Sequence, residues 1–131
     1  MKCLDTCFII DFLKNKQNAV EKAKEIASDN LFTTSINVFE FLYGSLIKPE
    51  VNQKDIEKLK SFLESIGVLA MDNESAEEAA KIAANLKKEG KIIELSDSMI
   101  AGIMKKNNCF EIVTNNVDHY SRIKGIKVIN Y

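Results

Sequence analysis

Asp5, Glu40 and Asp97 are the residues of this chain best placed to do chemistry. Asp5 sits between the apolar runs Cys3-Leu4 and Phe8-Ile9-Ile10, Glu40 is the only charge in 36–45, and Asp97 opens the helical stretch 99–106. None has a basic residue three or four positions further on to make it an ordinary surface pair. Asp118 is a fourth acid, just past the apolar segment 110–113 and the polar run Thr114-Asn115-Asn116. Carboxylates gathered in one pocket repel one another and raise one another's pKa unless a cation lies between them. An all-oxygen set suits a hard ion, Mg2+ or Mn2+, held by one or two carboxylates directly and by the rest through water. Such a site does phosphate chemistry. The acids that could share such a pocket are Asp5, Glu40 and Asp97, with Asp118 as the fourth. Thr6, Thr114, Asn115 and Asn116 would orient those acids or the substrate. Plainer roles exist for each: Asp5 or Asp97 as a helix N-cap, Asn115-Asn116 as a turn, His119 as a turn residue. Glu40 resists a plain role best, because a buried helix gains nothing from a lone glutamate.

For these acids to meet, the elements must bring them to one edge. Residues 2–4 read as a short buried strand ending at Asp5, with Thr6 capping a helix through Leu13. Alternation continues: helix 19–27, strand 31–33, helix 36–45, helix 55–65, strand 68–70, then a helix opened by the capping-box pattern Ser75-Ala76-Glu77-Glu78 and stopped by Gly90. Helix 99–106, strand 110–113, a short turn at 117–120 and a last strand at 126–129 complete the chain. Strands alternating with helices predict a single α/β domain over 1–131. It is a three-layer α/β/α fold on a mostly parallel sheet of four to five strands. In such a sheet the carboxyl ends of the strands converge, placing Asp5 near the 114–118 segment, with Asp97 nearby. Helix 36–45 is apolar on more than one side, so it is either buried or shared with a partner.

The balance of 46% hydrophobic and 28% charged residues in 131 is that of a globular domain, and no stretch is apolar enough to span a membrane. Asp5 and Asp11 interrupt the first apolar run and no small-residue cleavage site follows, which excludes a signal-peptide reading. Net charge is −1 and Arg122 is the only arginine, leaving little for bidentate phosphate or guanine recognition. Of the lysines, Lys14, Lys16, Lys91, Lys105 and Lys106 are candidates for touching a nucleic-acid backbone, although solvated surface explains each equally well. Cys3, Cys7 and Cys109 are odd in number and lack metal spacing, which fits a reducing cytoplasm. A thiol nucleophile at Cys7 would need His119, the only histidine, as its base. A phosphoreceiver-like module is disfavoured, since Asp5 has no adjacent acid and 113–116 no lysine.

The segments Leu4-Asp5-Thr6, Thr34-Ser35-Ile36-Asn37-Val38-Phe39-Glu40-Phe41-Leu42-Tyr43-Gly44, Ser96-Asp97-Ser98-Met99-Ile100-Ala101 and Val113-Thr114-Asn115-Asn116, with Tyr120 and Gly125, resemble in order those of PIN domains. Their shape is most similar to the VapC-type ribonuclease toxins of toxin–antitoxin pairs. The resemblance implies a Mg2+- or Mn2+-dependent endoribonuclease acting on RNA, with Asp5, Glu40 and Asp97 binding metal and Thr114 and Asn116 as the polar pair beyond the strand. It also implies a homodimer and a VapB-type antitoxin that plugs the groove. One position departs from the pattern. Many members carry an acid just before the aromatic that Tyr120 matches, where this chain has His119, with Asp118 one residue earlier. The alternative reading is a non-catalytic PIN-like module that binds protein or RNA.

Overall fold

The computed structural model describes all residues, 1–131. Its elements run β1 (Lys2–Leu4), α1 (Thr6–Leu13), α2 (Gln17–Glu25), β2 (Leu31–Thr34), α3 (Ser35–Leu46), α4 (Gln53–Glu64), β3 (Gly67–Leu69), α5 (Asn73–Lys88), α6 (Leu95–Lys106), β4 (Glu111–Val113), α7 (Val117–Ser121) and β5 (Lys127–Ile129). The five strands pair in the order β3-β2-β1-β4-β5, and every pair is parallel. The chain builds outward from β1 to β2 and β3, then returns to add β4 and β5 on the other side. The direction of winding therefore reverses beside β1, and a crevice at the carboxyl ends follows from that reversal.

Successive strand residues face opposite sides, and the core divides accordingly. Cys3 and Ile112 join one cluster with Ile82, Leu86, Ile100, Met104 and Tyr120 from α5, α6 and α7. Leu4 and Val113 join another with Phe8, Ile9, Ala19, Phe41 and Leu59 from α1 to α4. The result is the expected three layers.

Several boundaries differ from those read in the sequence, and capping explains the largest. Helix α5 starts at Asn73, and Asp72 is its cap, accepting from the Ser75 N–H at 2.8 Å. Ser75 is thus the third residue of the helix, not its cap. Asp5, not Thr6, caps α1. Helix α6 begins at Leu95, so Asp97 lies inside its first turn and is not the cap.

Helices α5 and α6 cross closely because Gly102 has no side chain. A Cβ there would stand 2.5 Å from the Ser75 carbonyl oxygen and 2.6 Å from the Ala79 nitrogen. Gly44, in α3, has no neighbour within 4 Å of the same point. Helix propensity favours Ala over Gly by about 0.5–1 kcal/mol, whereas overlap with packed backbone costs roughly 1–3 kcal/mol or more. Gly44→Ala should therefore raise the melting temperature by a few degrees, and Gly102→Ala should lower it by roughly 5 °C or more. Thermal melts moving in the same direction for both variants would contradict the close crossing.

Candidate active site

Asp5 follows the last residue of the central strand and is 5% exposed. Leu4 pairs with Val113, so the next residues of the two chains, Asp5 and Thr114, come side by side. Thr114 Oγ1 donates to Asp5 Oδ2 at 2.6 Å, and Cys7 Sγ approaches the same oxygen at 3.6 Å. Asp5 Oδ1 accepts from the Thr6 N–H at 2.9 Å and from Asn37 Nδ2 at 3.0 Å. Asn37 is fixed in turn by a capping box. Its N–H donates to Thr34 Oγ1 at 3.3 Å, and its Oδ1 accepts from the Thr34 N–H at 3.2 Å.

Glu40 is on α3, three residues beyond Asn37, and its Oε2 accepts from Thr6 Oγ1. Asp97, 6% exposed, enters from α6. Its Oδ1 accepts from the buried Tyr120 hydroxyl at 3.3 Å, and its Oδ2 from Asn116 Nδ2 at 3.2 Å. His119 Nδ1 stands 2.6 Å from that same Oδ2. Junctions after β1, β2 and β4 and the start of α6 thus supply one polar cluster at the strand ends.

The acids sense one another. Burial raises Asp5 above its ordinary 3.8, and the charge of Asp97 pushes the same way, against the hydrogen bonds from Thr114 and Thr6. Asp97 is also raised by burial, with Glu40 adding repulsion and His119 opposing it. Tyr120 is held well above its usual range by burial and then by the charges of Asp5 and Asp97. The donor set is all oxygen, negative and incompletely neutralised, which fits a hard divalent cation. No three His, Cys, Asp or Glu side chains converge on a single point. An ion here would therefore take one or two carboxylates directly and complete its shell with water, as Mg2+ does.

Asp118 does not reach this cluster. Its side chain is 77% exposed, and Arg122 Nη2, four residues on, donates to its Oδ2 at 2.8 Å. Helix α7 turns His119 inward in its place. Thr6, Thr114 and Asn116 lie where expected, bonded to the acids, whereas Asn115 is exposed and donates its N–H to Cys7 Sγ at 3.4 Å. Burial raises the Cys7 thiol, and no hydrogen bond joins it to His119, so the pair lacks the activation a thiol nucleophile needs. Asn37 had no assigned role in the sequence reading. The signal was the pattern Thr34-Ser35-Ile36-Asn37, which has the spacing of a capping box.

The sequence profile of the PIN domain matches residues 2–126. The chain is 28% identical over 124 residues to a tRNA(fMet)-specific endonuclease VapC of Shigella flexneri, covering 95% of this chain and 92% of that protein. It is 32% identical over 100 residues to a ribonuclease VapC3 of Methanocaldococcus jannaschii, covering 76% of this chain and 94% of that one. Among solved structures, it superposes on a chain of a DNA-bound VapBC complex of Salmonella typhimurium with a TM-score of 0.85 and 26% identity, over 98% of this chain and 96% of the other. A chain of the VapBC2 complex of Rickettsia felis, bound to a promoter DNA fragment, gives a TM-score of 0.87 at 21% identity, with coverage of 99% and 98%.

The raised carboxylates Asp5 and Asp97 supply a part of the metal-free chain's stability that is lost as pH rises, opposite in sign to the part supplied by the lowered Asp11, Asp72 and Glu111. The contribution of Asp5 and Asp97 is complete below their unfolded value of 3.8 and is lost as pH climbs through their higher folded values. Asparagine fits at position 5, because Oδ1 keeps its two fixed donors while Thr114 and Cys7 can turn to accept from an amide. Asp5→Asn and Asp97→Asn should therefore melt above the parent at pH 7.5 in EDTA, with the gap closing towards pH 4. A gap that stays constant across that range would refute the raised values.

Proposed function

The chain belongs to the PIN-domain family, and from that premise we propose that it is a divalent-metal-dependent endoribonuclease that hydrolyses RNA phosphodiester bonds. We assign residues 1–131 to one PIN domain and the role of toxin in a toxin–antitoxin pair, with a VapB-type protein as its antitoxin. Support comes from the names of its relatives and from their near full-length match. The observation that carries the reading is that Asp5, Glu40 and Asp97 line one hydrogen-bonded cluster at the strand ends, where burial raises Asp5 and Asp97 and each of those two feels another acid's charge.

In this reading Asp5, Glu40 and Asp97 would hold the ion, Mg2+ or Mn2+, one or two of them directly and the rest through water. When bound, it neutralises charge developing on the phosphate and makes a water acidic enough to attack. The chain's own part is to hold the ligands still. Thr114 and Asn37 clamp the two oxygens of Asp5 from opposite sides, and Thr6 ties Glu40 to the same network. Asn116 and Tyr120 fix the two oxygens of Asp97. The cost of assembling like charges is thus met by folding, before substrate arrives.

Pairing of two copies through α3 is part of the same proposal. Phe39, Tyr43, Leu46 and Ile47 are 56–64% exposed along one side of that helix, and the rings of Phe39 and Tyr43 stack at 5.9 Å. A stripe of this kind marks an interaction surface.

Three measurements test these assignments. With Mg2+ or Mn2+ present, the parent should cleave RNA, and Asp5→Asn, Asp97→Asn and Glu40→Gln should each lose at least ~100-fold in rate. Equal cleavage by all four proteins would overturn the nuclease. If cleavage is absent and neither ion raises the melting temperature, the chain is a binding module instead, since a ligand of the native state must stabilise it. For the assembly, light scattering should give twice the chain mass for the parent and a single chain for the double variant Phe39→Glu/Tyr43→Glu. A monomeric parent would exclude the pairing.

A further inference from the structure

A concavity lies beside Glu40, which is one of its walls while Asp5 and Asp97 are not. Its volume is about 260 Å3, the scale of a small-ligand pocket. Three helices wall it: α1 gives Ile10 and Leu13, α3 gives Phe41 and Gly44, and α4 gives Asp55. Lys14, Lys48 and Lys58 stand around it, from the end of α1, the turn after α3 and the body of α4.

These three have no ion-pair partner, which Lys24, Lys54, Lys60, Lys87, Lys88 and Lys124 also lack, and what sets them apart is that they surround one recess walled by Glu40. Lys2, Lys16, Lys22, Lys81, Lys91, Lys106 and Lys127 each reach a carboxylate within 4 Å, and Lys105 donates to a backbone carbonyl. Lys14, Lys48 and Lys58 form no ion pair, although Asp55 lines the same cavity. Of the five lysines singled out in the sequence, only Lys14 is thus left free, and the other two were not foreseen. The floor is apolar, from Ile10, Leu13 and Phe41, and Gly44 keeps it open: nothing lies within 4 Å of where its Cβ would be.

We propose that this cavity is a subsite for the nucleotide of a single-stranded RNA next to the scissile phosphate, its phosphate held by Lys14, Lys48 and Lys58 and its base or ribose laid on the apolar floor. The proposal rests on the ribonuclease reading. An acidic centre repels a polyanion, so affinity must come from cations beside it, and this is the one place where unpaired lysines, an apolar recess and a site carboxylate share a wall. Glu40 is that shared wall: it lines the cavity and is tied through Thr6 to the network around Asp5. Lysine contacts of this kind bind phosphate as point charges, so the subsite adds affinity for any sequence and selects none.

The test compares the full chain with Lys48→Ala/Lys58→Ala, and with Lys87→Ala/Lys88→Ala at the far end of α5 as the control. All four lysines are exposed, so folding is not at stake. Cleavage of a mixed-sequence single-stranded RNA is followed in Mg2+ or Mn2+. Binding of the same fluorescent RNA is followed by anisotropy in an Asp97→Asn background across a salt series. The proposal expects KM to rise roughly tenfold with kcat nearly unchanged for the first double variant. It also expects the slope of log affinity against log salt to become shallower by about 1.4, near 0.7 for each lysine removed. The control should match the parent. An unchanged KM and slope in an actively cleaving parent would overturn the subsite and leave the recess to a protein partner. Equal losses in both double variants would overturn it in favour of diffuse charge. A parent that cleaves no RNA, with binding still dependent on Lys48 and Lys58, would sink the nuclease and keep the subsite.

Discussion

Everything at the carboxyl edge of the sheet depends on one buried carboxylate. Asp5 ends the central strand, where the sheet covers it from both sides, and water cannot solvate its charge. A buried carboxylate without partners would be costly enough to unfold or reprotonate. Its four donors come from three places: Thr6 and Cys7 in the first turn of α1, Asn37 in the capping box of α3, and Thr114 at the end of β4. Satisfying one acid therefore fixes the relative positions of three strand-to-helix junctions. The parallel register delivers Thr114 beside Asp5 without further design, because Leu4 already pairs with Val113.

The same bonds decide what the cluster can do. Hydrogen bonds lower these carboxylates only partly: burial outweighs Thr114 and Thr6 at Asp5, and outweighs His119 and Tyr120 at Asp97. A lysine placed among the acids would settle the charge and close the site. No lysine pairs with Asp5, Glu40 or Asp97: Lys2 and Lys127 pair with Glu111, Lys106 pairs with Asp72, and Lys14, Lys48 and Lys58 only surround the recess beside Glu40. With His119 against Asp97 as the only basic side chain in hydrogen-bond reach of the acids, the cluster is left short of positive charge, and a cation from solution would relieve it. Site and stability oppose one another here, as they do in preorganised centres generally.

Much of this was legible in the sequence because the signals were local. An acid in an apolar stretch with no base one turn away marks Asp5, Glu40 and Asp97. Alternating strands and helices give the layers, and hence the shared edge. The rest depended on which side of a short helix a residue faces. Asp118 and His119 are adjacent, so α7 separates them by about 100° and only one can look inward. Arg122, four residues from Asp118, was the readable clue: the rule that marked the other acids as unpaired marks this one as paired. Caps were the other weak point. Several residue types can cap, and only geometry decides between Asp72 and Ser75, or between Asp5 and Thr6. Asn37 escaped notice because its side chain serves two ends at once, the cap of α3 and an oxygen from another element.

That double duty bears on how this edge tolerates change. Thr34 and Asn37 close a capping box, a local device worth about 1 kcal/mol in most helices. Here Asn37 also spans to Asp5 and to Thr6, and Thr6 spans to Glu40. Aspartate at position 37 could still cap, but it would add a negative charge against Asp5. Serine would keep a hydroxyl but lose the reach to Asp5. Glutamine has the right groups on too long an arm. Only the asparagine amide, with an acceptor turned to its own backbone and a donor turned to its neighbour, completes the cap and supplies Asp5 together. The side chain that starts α3 is therefore the one that sets Glu40 at its distance from Asp5. Local helix chemistry, not a dedicated catalytic scaffold, places the acids.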